Sequence, residues 1–182
     1  MKRLFKSVTL SALSAIVMGS AVLSSGAANA TDPVTGKEGV TTNYIGATAG
    51  GSFNTVDQSD ENAFAGGLQG RVTSPEVPLS LRGAALFNEN AAALVPEVTY
   101  DLAVTDSANI YFGGGYSFIT DEDELTALGN RNAPVVTLGG EMQVSESVVI
   151  FGNGKMGIDA YENANDDNEL AFSVQAGAAF SF

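Results

Sequence analysis

The last thirteen residues of the chain alternate between two kinds of side chain. Positions 170, 172, 174, 176, 178, 180 and 182 carry apolar residues, and the positions between them carry alanine, glycine, serine or glutamine. Because successive side chains of a β-strand point to opposite faces, this segment predicts a strand with one apolar face and one small or polar face. The same period recurs along the rest of the chain and favours an all-β fold.

Eight segments share this pattern, and they cover residues 44–54, 64–73, 77–87, 94–103, 110–118, 135–144, 148–159 and 170–182. A strand of about ten residues, rising about 3.3 Å per residue and tilted by about 40°, spans about 25 Å, the height of the apolar band of an outer-membrane barrel. The alanines at 91–93 suggest a helix instead. The period of two, and the glycines inside every segment except the fourth, favour strands.

Pro96 interrupts the fourth segment near its beginning. Proline cannot donate a hydrogen bond to a β-ladder and is normally placed at an edge or at the start of a strand. We expect a β-bulge at this position to accommodate it.

The first thirty residues have the three parts of a secretory signal peptide. A basic start precedes an apolar stretch over 8–23, and Ala28-Asn29-Ala30 forms a cleavage site of the A-x-A type. An uncleaved anchor is the alternative, but serines and a glycine interrupt the apolar stretch. We predict cleavage after Ala30, a flexible N-terminal lead-in over 31–42 and a single barrel domain over 43–182.

The charge of the predicted mature chain excludes some partners. Three of the eight basic residues and none of the 21 acidic ones fall in 1–30, so five basic and 21 acidic residues remain, a net charge of −16. This balance argues against a nucleic-acid partner, which requires a basic surface. After Ala30 no apolar run approaches the roughly 18 residues of a membrane helix. A position in a bilayer therefore requires a closed barrel, which satisfies every backbone polar group.

The connections between the segments alternate in length. Mostly long connections at 55–62, 88–92, 119–133 and 160–169 alternate with short ones at 74–76, 105–109 and 145–147. Outer-membrane barrels combine long outer loops with short periplasmic turns. The alternation predicts an eight-stranded antiparallel up-and-down transmembrane β-barrel with both chain ends on the side of the short turns.

Aromatic residues on the apolar faces are sorted by height. Those at the loop ends of the segments are Phe53, Phe64, Phe87, Phe118 and Phe172, and those at the turn ends are Tyr100, Phe112, Phe180 and Phe182. The middle of the apolar face carries Gly, Ala, Leu, Val and Met. Two aromatic girdles around an apolar band are typical of a membrane barrel.

Charged residues inside the segments all fall on the face opposite to the apolar one. They are Arg71, Arg82, Glu97, Asp101, Glu141, Lys155 and Asp159. An eight-stranded barrel is just wide enough for its inward side chains to fill it, and buried charges must be paired. We therefore predict a salt-bridged lumen plug made of these residues, with Arg71 and Arg82 facing Glu97 and Asp101. The alternative is a narrow ion path.

The signal peptide, the eight alternating strands, the acidic loops and the terminal phenylalanine together resemble the small eight-stranded outer-membrane barrels of the OmpA/OmpX-like and opacity-protein-like group. This resemblance implies a place in the outer membrane of a Gram-negative-type bacterium. It also implies that Phe182, with Phe180 and Phe172, forms the signal read by the barrel-assembly machinery.

The chain contains no His and no Cys, which excludes Ser-His and thiol chemistry and argues against an enzyme. The acidic loops are either solvated surfaces or divalent-cation sites, although Asp121-x-Asp123 lacks the glycine and distal glutamate of an EF-hand. We expect no cofactor and no metal.

The leading functional hypothesis is a non-enzymatic, monomeric outer-membrane barrel for structure or surface interaction, with outer-membrane lipid and the assembly machinery as its partners. The first alternative is a small porin-like channel for ions or small solutes. The second is a soluble periplasmic barrel of the lipocalin type, in which Leu81 points inward and Arg82 is exposed.

Overall fold

A closed antiparallel barrel is formed by the described residues of the chain, 34–54, 64–74, 76–88, 91–121, 124–161 and 170–182, in a computed structural model. The predicted signal peptide over 1–30 and its cleavage site lie outside these residues. Most acidic residues of the long loops lie outside them as well. No helix among the described residues is long and apolar enough to cross a membrane.

Eight strands follow one another around the barrel, and each pairs with the next. They are β1 (Tyr44–Asn54), β2 (Phe64–Thr73), β3 (Leu79–Phe87), β4 (Ala92–Thr105), β5 (Ala108–Ile119), β6 (Ala133–Ser145), β7 (Val148–Gly157) and β8 (Ala171–Ser181). β8 pairs with β1 from Tyr44↔Ser181 to Asn54↔Ala171 and closes the sheet. The predicted all-β, eight-stranded antiparallel barrel is confirmed.

The barrel has its apolar side chains outside and its charges inside. Leu81 is 55% exposed and Leu138 is 62% exposed, whereas Arg82 and Lys155 are almost fully buried. Leu81 and Arg82 are neighbours on β3, so the alternation along one strand separates the two environments. This orientation is the reverse of the one that a lipocalin-type barrel requires.

Pro96 lies in β4 without the bulge that we expected there. It stands opposite Gly83 of β3, and the β4–β5 register is the same at Leu94↔Phe118 as at Glu97↔Gly115. The ladder to β5 is interrupted between those pairs, but no residue is inserted. The shift of register lies instead between Ala103 and Thr105.

Both ends of the lumen contain chain from outside the strands. At the loop end, Leu128 is fully buried and packs in a cluster that includes Leu86, Val95 and Val135. At the turn end, Val40 is buried inside the barrel. In the described part of the predicted lead-in, residues 34–38 are exposed whereas Gly39 and Val40 are buried.

Candidate functional site in the barrel interior

Two arginines and two carboxylates meet inside the turn half of the barrel. Arg71 lies on β2, Arg82 on β3, Asp101 on β4 and Glu141 on β6, each at an inward position of its strand. The β2–β3 register places Arg71 directly opposite Arg82. Two like charges so close require counter-charges, and these come from β4 and β6.

Each carboxylate bridges both guanidinium groups. Asp101 Oδ2 lies 2.7 Å from Arg71 Nη2, and Asp101 Oδ1 lies 2.9 Å from Arg82 Nη2. Glu141 Oε1 lies 3.0 Å from Arg71 Nη1, and Glu141 Oε2 lies 2.8 Å from Arg82 Nη1. The four residues therefore form a closed, electrically neutral group, which we call the charge ring.

Hydroxyl groups accept hydrogen bonds from the Nε atoms of the two arginines, which make no ion pair within the charge ring. Arg71 Nε donates to Ser80 Oγ at 2.9 Å, and Ser80 Oγ in turn donates to Asp101. Arg82 Nε donates to Thr99 Oγ1 at 2.9 Å, and Thr99 Oγ1 donates to Asp101 Oδ1 at 3.0 Å. A buried ion pair contributes favourably only when its remaining donors and acceptors are satisfied in this way.

Aromatic and amide groups complete the surroundings of the charge ring. Tyr44 Oη accepts from Arg82 Nη1 at 2.7 Å and donates to Glu141 Oε2 at 2.9 Å. Asn109 Nδ2 donates to Glu141 Oε1 at 2.9 Å. The guanidinium of Arg82 lies 3.6 Å from the ring centre of Tyr111, in the range of a cation–π interaction.

A second ion pair lies nearer the middle of the lumen, between Lys155 of β7 and Glu97 of β4. Thr137 Oγ1 donates to the same carboxylate oxygen, Glu97 Oε1, at 2.7 Å. The predicted pairing of Glu97 with Arg71 and Arg82 is wrong. The register does place Glu97 opposite Arg82, but the Glu97 side chain reaches across the lumen to β7.

Asp159 does not belong to the interior. β7 ends at Gly157, so Asp159 lies beyond the strand, half-exposed, with its Oδ1 atom 3.6 Å from Arg131 Nη1. Its φ of 60° is in the left-handed region, which Asp tolerates better than most residues. The prediction failed because the apolar alternation continues through Ile158 after the ladder has ended.

The three phenylalanines of the predicted assembly signal, Phe172, Phe180 and Phe182, are all exposed on the outside of the barrel. At the turn end Tyr100 packs against Phe112 with ring centres 5.6 Å apart. On β5, Tyr116 packs against Phe118 at 5.0 Å, although the sequence-based girdle did not include Tyr116. The side chain of Phe53 lies outside the described residues.

Several interior residues escaped the sequence-based site. They are Tyr44, Ser80, Thr99, Asn109 and Tyr111. All five lie on the face of their strand opposite to the apolar one, so a search of all inward polar positions would have found them. What each one touches depends on the stagger of the strands, which the sequence does not reveal.

The interior chemistry is one of paired charges. Of the charged side chains that the structure describes, three cations and three carboxylates are buried, and each has an oppositely charged partner. Among the described side chains, the buried polar atoms without a partner are Thr42 Oγ1, Ser117 Oγ, Asn153 Oδ1 and Gln175 Oε1. No group of three His, Cys, Asp or Glu residues in this part of the chain is arranged to hold a metal ion.

Among the solved structures that resemble this fold are two with the following likeness. Neisserial surface protein A aligns with a TM-score of 0.51 and 11% sequence identity, over 77% of this chain and 96% of its own. A structure from work on de novo design of transmembrane β-barrels aligns with a TM-score of 0.50 and 17% identity, over 79% of this chain and 98% of its own. No protein-family model and no curated protein matches the sequence. The likeness assigns the fold to the small transmembrane β-barrels.

Proposed function

We propose that this protein is a non-enzymatic β-barrel of the outer membrane of a Gram-negative-type bacterium, where it supports envelope structure or surface interaction. In this proposal a signal peptide cleaved after Ala30 exports the chain, and the barrel-assembly machinery inserts it as a monomer into outer-membrane lipid. The lumen is closed to solutes by the paired charges of its interior. No cofactor takes part.

The single observation that carries the proposal is the apolar outer surface. Among its strongly exposed side chains are those of Phe64, Leu81, Val98, Phe112, Leu138 and Phe180. A soluble monomer rarely exposes a continuous apolar patch larger than about 300–600 Å². An outer surface of this kind is stable when lipid covers it, while buried charges stay paired inside.

The closed lumen is supported by the reach of the charge ring. Its members come from β2, β3, β4 and β6, and Tyr44 of β1 and Asn109 of β5 bond to it. Side chains from six of the eight strands therefore meet in one connected network. Because an eight-stranded barrel is only about wide enough for its side chains, such a network supports a lumen without an aqueous path at that height.

Cell fractionation combined with gel mobility tests the location. We expect the protein in the outer-membrane fraction, and we expect the unheated sample to migrate differently from the heated one because a folded barrel resists detergent. Recovery in the soluble periplasmic fraction without a heat-modifiable band would contradict the proposal.

Planar-bilayer recordings of the refolded protein test the closed lumen. We expect no stable unitary conductance steps. Reproducible steps would favour the first alternative, a small porin-like channel, in which the buried charges line a path instead of blocking it. A variant that lacks both arginines of the charge ring, Arg71→Ala with Arg82→Ala, serves as the comparison, and its heat-modifiable band shows whether it still folds.

A further inference from the structure

Residues 39–42, which we call the strap, run inside the turn end of the barrel just before β1. The Val40 side chain is buried among Tyr44, Val149, Phe151 and Ala179. The backbone of Val40 is held by side chains, since its N–H donates to Asn109 Oδ1 at 3.1 Å. Its carbonyl oxygen accepts from Asn109 Nδ2 at 3.1 Å and from Arg71 Nη1 at 2.8 Å.

These contacts take the strap across the lumen. The apolar contacts of Val40 lie on β1, β7 and β8, whereas Asn109 lies on β5, four strands away from β1 in either direction. A segment that touches opposite walls of so narrow a barrel lies across its bore. The strap therefore adds a second obstruction at the turn end, in direct contact with the charge ring.

The strap contributes nothing to the strand pairing. The β1 ladders to β2 and β8 both begin at Tyr44, after the strap has ended. One buried apolar side chain and a few hydrogen bonds from side chains hold the strap in place. Segments with few such contacts open locally while the rest of the fold persists.

We propose that the strap is a releasable stopper for the turn end of the lumen, with Asn109 as its latch. Release opens the charge ring to solvent and small solutes on the turn side and leaves the eight strands paired. The stopper regulates access to the same lumen and so rests on the proposed closed barrel. Its direct contact with Arg71, a member of the charge ring, couples its position to that network.

Two glycines provide a matched pair of variants. Gly36 and Gly39 have nearly the same positive φ, 67° and 69°, so alanine is conformationally strained at both. A Cβ atom at Gly36 would meet nothing within 4 Å. A Cβ atom at Gly39 would overlap Asn109 Oδ1 and lie 2.8 Å from Cβ of Ala103. Gly39→Ala therefore blocks docking of the strap, and Gly36→Ala controls for backbone strain.

Thiol labelling measures whether the strap is docked. The chain contains no cysteine, so Val40→Cys introduces a single thiol, and Val34→Cys introduces one at an exposed site. In refolded protein we expect slow labelling at position 40 and fast labelling at position 34. Adding Gly39→Ala should raise the rate at position 40 about tenfold, the effect of losing about one hydrogen bond on the opening equilibrium, and adding Gly36→Ala should not.

A heat-modifiable band in each sample shows that the barrel is folded, so a negative labelling result then counts against the stopper and not against the proposed barrel. Equal labelling at positions 34 and 40 in a folded barrel would overturn the stopper, as would equal effects of the two glycine variants. Hydrogen exchange of the unsubstituted protein tests whether the strap is docked without any substitution. The Val40 amide should exchange more slowly than that of exposed Lys37, and equal exchange would overturn the proposal.

Discussion

Each buried charge in this barrel has partners on more than one strand or is joined by a hydroxyl group. Asp101 receives hydrogen bonds from both arginines and from Ser80 and Thr99. Burying a charge is unfavourable unless pairing and hydrogen bonds offset the loss of water. Loss of one partner therefore leaves another buried charge uncompensated and should lower the free energy of unfolding.

Replacement of Arg82 by alanine tests this dependence. The variant leaves Asp101 and Glu141 with Arg71 as their only cationic partner, and we expect a loss of about 3–5 kcal/mol of unfolding free energy. Urea unfolding in detergent micelles or liposomes, read from the heat-modifiable band, measures it. Arg131→Ala is the control, because its pair with Asp159 is half-exposed and should contribute about 1 kcal/mol or less. Equal stability of the two variants would contradict a stabilising charge ring.

At this scale the sequence predicts which side of the barrel a residue faces, but not what it contacts. The parity of Glu97 and Lys155 along their strands places both inside. Their pairing depends on barrel closure, which brings β4 and β7 within reach across the lumen. Asp159 was misplaced for a different reason, since the alternation does not reveal that hydrogen bonding ends at Gly157.

At the scale of strands, glycines at inward positions make room for aromatic rings on neighbouring strands. The Tyr111 ring of β5 lies against Gly139 of β6, and the Phe151 ring of β7 lies against Gly177 of β8. Large and small residues facing each other allow a narrow interior to be filled without voids. The glycines inside the strands are thus part of the packing.

Gly139 and Gly140 are neighbours on β6 that face opposite ways, and they provide the second prediction. A Cβ atom at Gly139 would overlap the Tyr111 ring, whereas one at Gly140 would meet only a backbone oxygen at 3.6 Å. We expect Gly139→Ala to cost about 1–3 kcal/mol through overpacking. Gly140→Ala should be neutral or slightly stabilising, because alanine restricts the unfolded chain. Urea unfolding, as for Arg82→Ala, measures the two free energies. Equal destabilisation by both variants would show that the contact between Gly139 and the Tyr111 side chain does not limit the size of residue 139.

The strands themselves were predictable from the sequence. The bounds of β1 and β2 agree with the predicted segments, and β4 extends beyond its predicted segment by two residues at each end. The period of two carries this information because each strand separates lipid from a polar interior. The strap and the buried Leu128 were not predictable, since irregular segments have no period from which their burial follows.

On the scale of the whole molecule, the barrel reverses the arrangement of a soluble protein. The charged residues within its eight strands are three cations and three carboxylates, which balance, so the net charge of the sequence belongs to the segments between and before the strands. The apolar residues that would form the core of a soluble protein lie on the outside instead. This reversal supports the membrane proposal more strongly than any single residue does.

The terminal phenylalanine allows assembly to be separated from stability, which is the third prediction. Phe182 is half-exposed on the outer surface, and its backbone N–H, which donates to the Asn43 carbonyl at 3.0 Å, is unaffected by side-chain truncation. We expect Phe182→Ala to refold normally in detergent but to reach the outer membrane of cells in reduced amount. Phe112→Ala, similarly exposed in β5, is the control. Equal outer-membrane levels of the two variants would count against a recognition role for the last residue.

The seam between β1 and β8 has a consequence for biosynthesis. These strands form eleven residue pairs, although β1 is synthesised before the other seven strands and β8 after them. A nascent or prematurely terminated product without β8 exposes two unsatisfied strand edges, which attract other chains. Closure of the barrel therefore requires the last strand, because only β8 satisfies the open edge of β1.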